Sequence, residues 1–134
     1  MHKIVIGLVL LGHGIGHSMG LLQIFKVATI SPGWNGESWL LTGVAGPTIT
    51  QALGAVVWIG AMVGFIALGG VAVGWLPGGW WPTLAVGSSV LSLAGLLLFP
   101  TAFPTFSTIG ALIVDISVLV AVVWLHWAPS DLAA

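Results

Sequence analysis

The sequence predicts an all-α membrane protein, with four transmembrane helices packed as an antiparallel, up-down-up-down bundle. Three observations predict it. Of the 134 residues, 58% are hydrophobic and 4% charged, whereas soluble domains carry about 25% charged residues. The mean hydropathy is +1.18. The apolar residues gather into four runs, each near the roughly 20 residues that span a hydrocarbon core, with Gly and Pro clusters between them. Long uninterrupted runs favour helices over barrel strands, in which polarity alternates at every second residue.

The first run covers residues 4–27. Met1-His2-Lys3 ahead of it has the beginning of a signal peptide, but the run passes through Gly12-His13-Gly14-Ile15-Gly16-His17 and continues to Phe25. That exceeds a typical signal h-region, so a spanning helix is expected. The second run, 49–73, follows a loop bracketed by Ser31-Pro32-Gly33-Trp34-Asn35-Gly36 and Gly46-Pro47. Within that loop Glu37 to Thr42 is expected to form a short interfacial helix. Leu76-Pro77-Gly78-Gly79 makes a tight turn into the third run, 81–99, and Pro100 and Pro104 mark another before the fourth, 106–127. Short second and third connections force antiparallel neighbours. The chain, 1–134, reads as one domain, with 129–134 a short frayed end.

Tryptophan and glycine refine this layout. Trp34 and Trp39 lie in the first loop, whereas Trp75, Trp80, Trp81, Trp124 and Trp127 fall at the opposite membrane face. All seven are expected to anchor in the headgroup region, where the ring is buried and the N–H is wet. Trp58 alone sits well inside a span. Gly12, Gly16 and Gly20 on the first helix, and Gly60 and Gly64 on the second, recur every four residues. Such spacing lets helices approach closely where hydrophobicity cannot drive association. Lys3 favours a cytoplasmic N-terminus and Lys26 opposes it; both termini are placed inside, in a prokaryotic cytoplasmic membrane.

Composition excludes several functions. Two Lys, no Arg and a net charge of −1 give no basic cluster for nucleic acid. The absence of Cys removes disulfide frameworks, thiolate metal sites and thiol relays. No nucleophile elbow, phosphate loop or HExxH motif is present. Ser18 follows His17 directly, and neighbours on a helix point about 100° apart, so no Ser–His dyad is supported.

The polar residues within the spans carry what chemistry remains. His13 and His17, four residues apart, share one helix face roughly 6 Å apart along the axis. Asp115 lies near the middle of the fourth span, at similar depth. A charged Asp there is costly unless paired, so a His–Asp hydrogen bond joining the first and fourth helices is expected. Ser88, Ser89 and Ser92 on the third lie close enough in depth to join it. Three uses of the cluster stay open. It can be a polar clamp fixing helix register, or a ligand, quinone or proton site. It can also be a metal or haem site, with His13, His17 and Asp115 supplying a facial triad. A bis-His haem is disfavoured because both histidines come from one helix.

From Leu10 to His17 the chain resembles small four-helix bacterial and archaeal membrane proteins of the DoxX-like type, whose first helix commonly carries a His-Gly pair, here His13-Gly14. The resemblance implies the four-span fold and no settled activity. Those proteins often carry an Arg early in the first helix, which this chain lacks. Some are linked to thiol or quinone oxidation, and without Cys only the quinone side applies. The small multidrug resistance family, four short helices working as a dimer, is a weaker parallel. Its essential carboxylate is a Glu on the first helix, where this chain has histidines.

The extreme apolarity points to work inside the bilayer. The leading expectation is a non-enzymatic accessory or assembly subunit of a larger membrane complex, or a homo-oligomer. The alternatives are a redox-associated component binding a quinone or cofactor at the His–Asp cluster, and a proton-coupled transporter of small solutes.

Overall fold

A computed structural model describes residues 1–131, and among them every regular element is helical. The elements are α1 (His2–Gly16), α2 (Ser18–Ile24), α3 (Leu41–Ala72), α4 (Trp81–Leu98) and α5 (Thr105–Leu119). α2 continues α1 after a loosened turn at His17, whose backbone remains helical (φ −66°, ψ −18°). A single π turn, Val120–Trp124, extends α5. Four units are thus long and apolar enough to cross a membrane: His2–Ile24, Leu41–Ala72, Gly78–Leu98 and Thr105–Trp124.

Local chemistry sets the ends. Lys26 (φ 57°) turns left-handed just after α2, and Val27 N–H closes back on the Leu22 carbonyl at 2.7 Å. Gly74 (φ 83°) stops α3 in the same way, with Trp75 N–H on Gly70 at 2.8 Å; glycine adopts this conformation without a Cβ penalty. The second span begins earlier than the hydropathy suggests. Gly46 (φ 80°, ψ 164°) breaks the helix, and Pro47 restarts it with a ring already set for a first helical position. The short helix expected at Glu37–Thr42 is displaced: 37–40 is irregular, and helix starts at Leu41, running into the Gly46 break. Ser38 governs this, since its Oγ accepts from Leu41 N–H at 3.2 Å, as an N-terminal cap does. Of the end expected to fray, Pro129–Asp131 form a 3-10 turn in which Asp131 Oδ2 accepts from Ala128 N–H at 2.7 Å. The rest of it, 132–134, lies outside the described residues.

Glycine contacts fix the register. Along α1 and α2, Gly7 meets Val73, Gly14 meets Met62 and Ile66, and Gly20 meets Trp58, so both run antiparallel to α3. Gly60 meets Leu91, Gly64 meets Ser88 and Gly95 meets Trp58, which sets α4 antiparallel to α3. Ser92 bonds Asp115 and Trp81 bonds Trp127, so α5 runs antiparallel to α4. The helices therefore pack in chain order as an arc, and α1 and α5 face each other across its open side. The seam of α1 differs from expectation. Its buried positions are Gly7, Leu10, Gly14 and His17, whereas a Cβ on Gly12 or Gly16 would meet no atom within 4 Å.

Two apolar clusters fill the arc. One gathers Leu10, Phe65, Leu68, Trp81, Ala85 and Val122; the other gathers Trp34, Trp58, Leu96, Phe99 and Phe103. Two expected interfacial anchors are hence core residues. Trp34 is buried against Phe99, its Nε1 donating to the Glu37 carbonyl at 2.9 Å. Trp81 is buried edge-on to Trp127, donating to the Trp127 carbonyl at 3.0 Å. Each indole satisfies its N–H internally, which frees it from the wet headgroup layer. Trp39, Trp75, Trp80 and Trp124 are exposed.

Gln23 organises the first loop. Its amide donates to the carbonyls of Ser31 (2.7 Å) and Trp34 (2.6 Å), and its oxygen accepts from the N–H groups of Ile30 (3.0 Å) and Ser31 (2.7 Å). One side chain thus serves four backbone groups of a turn that cannot pair them itself. Gln23→Ala is expected to lower unfolding free energy by about 2–3 kcal/mol, since unpaired buried groups cost about 1–3 kcal/mol each and water reaches some of these. Faster protease cleavage between 28 and 36 would report the freed loop; unchanged cleavage and melting would refute the role.

Candidate functional site

Between the two apolar clusters lies a polar layer. Asp115 is fully buried, and among the described residues of α5 it alone is buried. His13 Nε2 and Asp115 Oδ1 are hydrogen-bonded at 2.9 Å, the α1–α5 link that the spacing leads one to expect. Ser92 Oγ donates to the other carboxylate oxygen at 2.6 Å. Asp115 thus meets a partner at each carboxylate oxygen. Ser88 stays outside the network. Its hydroxyl donates back to the Leu84 carbonyl of its own helix, and its Cβ packs under Gly64. One helical turn separates it from Ser92, more than a carboxylate can bridge.

His17 has a different role from its neighbour. Its ring is 3% exposed and lies nearly parallel to Trp58, with centroids 5.6 Å apart and planes 14° apart. It meets Phe103 and His13 edge-on, at 6.2 and 4.8 Å. Its Nε2 is buried without a partner, as are Trp58 Nε1, Thr50 Oγ1 and Ser89 Oγ. A facial triad does not form. His13 and Asp115 turn their potential ligand atoms on each other, and among the described residues no group of three His or acidic side chains is set to hold a metal.

Both histidines line a cleft of about 290 Å³ on the open side of the arc. Gly12 and Gly16 form its α1 wall, while Ser107, Gly110 and Ala111 form its α5 wall, with Phe103 at one end. A Cβ on Gly110, like one on Gly12 or Gly16, would meet nothing within 4 Å. The missing side chains therefore make the cleft. The α5 wall escapes a search for polar residues alone, yet the sequence carries its signal. Ser107 and Ala111 precede Asp115 at steps of four, a small-residue face leading to the carboxylate. No protein-family model matches this chain, and no curated protein or solved structure matches it.

Proposed function

We propose that this chain is an integral membrane protein that binds a lipid-soluble small molecule in the α1–α5 cleft, its polar head against His13 and His17. Two imidazoles, His13 and His17, on the walls of a glycine-lined cleft carry this reading. A purely structural clamp accounts for His13, Asp115 and Ser92. It gives no reason for a second imidazole beside a cleft that glycines keep free of side chains. The cleft lies at the lower end of ligand-site volumes, sufficient for a single ring with its tail in lipid. Quinone-type molecules have that shape, so among the readings open from the sequence, the ligand-binding one gains most from the geometry.

The test compares melting of the protein in nanodiscs with and without a decyl-tailed benzoquinone or its hydroquinone. Ligand at about 100 times Kd should stabilise by about 2.7 kcal/mol and raise the melting temperature by several degrees. Gly16→Leu fills the cleft from a position with open space, so it should abolish the rise while leaving the unliganded melting temperature unchanged or higher. An equal rise in both proteins, or none in the parent, overturns the proposal.

A further inference from the structure

The cleft continues past its histidines, and the continuation gives the occupant's tail a path, an inference that rests on the binding reading above. Phe103 stands at one end of the cleft; at the other, Val9 is its last lining residue on α1 and Val114 its last on α5. A second hollow, of about 320 Å³, starts from the same pair. It follows α1 back to Val5 and α5 onward to Ala121, with Trp81 and Trp127 at its far end. The two hollows therefore lie end to end along one groove between α1 and α5.

Their chemistry divides sharply. Both imidazoles line the first hollow, whereas no titratable side chain lines the second. Apart from Ser117 and the two indoles its lining is aliphatic, and the Trp81 N–H already donates to the Trp127 carbonyl at 3.0 Å. A polar head thus belongs beside the histidines and an apolar chain beyond the valines. Val5, Val9 and Ile113 are more than half exposed, so this half of the groove opens sideways on lipid. The eight residue steps from Val5 to His13 rise about 12 Å, the reach of an extended ten-carbon chain.

We infer that the occupant carries a single apolar chain, which runs from the histidines past Val9 and Val114 toward Trp81 and Trp127 before it meets bulk lipid. A tail leaving the cleft meets Phe103 in one direction and a continuing groove in the other. Lipid tails are as apolar as this groove, so the path adds little affinity; what the groove sets is direction.

Position is therefore what the test reads. A decyl-tailed benzoquinone with a diazirine at the ninth carbon of the tail is bound in nanodiscs and irradiated, and its adducts are mapped by peptide mass spectrometry. Adducts should fall on Val5, Ser117, Ala121 or Trp127, and should be lost in Gly16→Leu and under excess unlabelled quinone. Ser117→Phe fills the second hollow from an exposed position, so it should remove those adducts while the quinone still raises the melting temperature. The parent protein alone decides the matter if that variant fails to fold. Adducts at Met19 or Phe103 would mean the opposite direction and overturn the path. So would adducts spread over outward positions such as Val56 and Val90, the result expected if lipid or a second copy of the chain holds the groove. In both cases a melting rise abolished by Gly16→Leu leaves the cleft as a binding site. No melting rise with any quinone removes the binding reading and the path together.

Discussion

Gly14→Val is expected to cost about 3 kcal/mol, whereas Gly12→Val, two residues away in the same helix, should cost less than about 0.5 kcal/mol. A Cβ at Gly14 would lie 2.9 Å from the Met62 carbonyl oxygen and 3.0 Å from the Ile66 amide nitrogen. Both atoms belong to the α3 backbone and cannot swing aside as a side-chain tip does. Accommodation requires α1 to lift away from α3, and overpacking of this kind costs about 1–3 kcal/mol, occasionally more. At Gly12 the added atoms enter the cleft, where a Cβ meets nothing within 4 Å, and surface substitutions of that sort stay within about 0.5 kcal/mol. Unfolding of both variants in the same micelles measures the difference. Equal destabilisation would mean that the α1–α3 seam is not where the structure has it.

Asp115→Ala should cost about 2–4 kcal/mol. Two interhelical hydrogen bonds are lost, each worth about 0.6 kcal/mol on average and up to about 1.7 in membranes. The larger penalty falls on the partners, because His13 Nε2 and the Ser92 O–H are then stranded at about 1–3 kcal/mol apiece where no water relieves them. Losing the bonds and stranding their partners are one cost seen from two sides, which holds the total below the simple sum. The same logic predicts a rescue. Combining Asp115→Leu with His13→Leu and Ser92→Ala leaves nothing polar to strand and should recover most of the loss. If Asp115→Ala melts within a degree of the parent, the carboxylate is not what holds α5 in place.

The spans were legible because apolarity over about 20 residues is a local property, fixed before any helix chooses a neighbour. The pairing of His13 with Asp115 was legible for a related reason: a carboxylate at mid-depth must find a donor, and the sequence has few. What failed was phase. Steps of four through Gly12, Gly16 and Gly20 suggest the seam, yet the buried stripe runs Gly7, Leu10, Gly14, His17 at steps of three and four and includes Gly20 alone of those three. A span with five glycines and three histidines offers several small-residue faces, and only the partner's shape selects one. Trp34 and Trp81 failed similarly. Their depth was readable, but whether an indole N–H reaches water or a backbone carbonyl depends on how loops and chain ends fold over it. Gln23 lay at a helix end, where its four backbone partners arise only once the loop has turned back.

Among the described residues, the side-chain hydrogen bond between α1 and α5 joins residues 102 apart, while the extensive helix pairings join consecutive spans. Contacts between distant residues carry the greatest loop-closure entropy and are rewarded only after nearer ones exist. The His13–Asp115 bond therefore completes this bundle and does not nucleate it. A chain that stalls before its last span emerges leaves His13 without its carboxylate, so pairing of the two marks a finished molecule and gives a growing one a recognisable flaw.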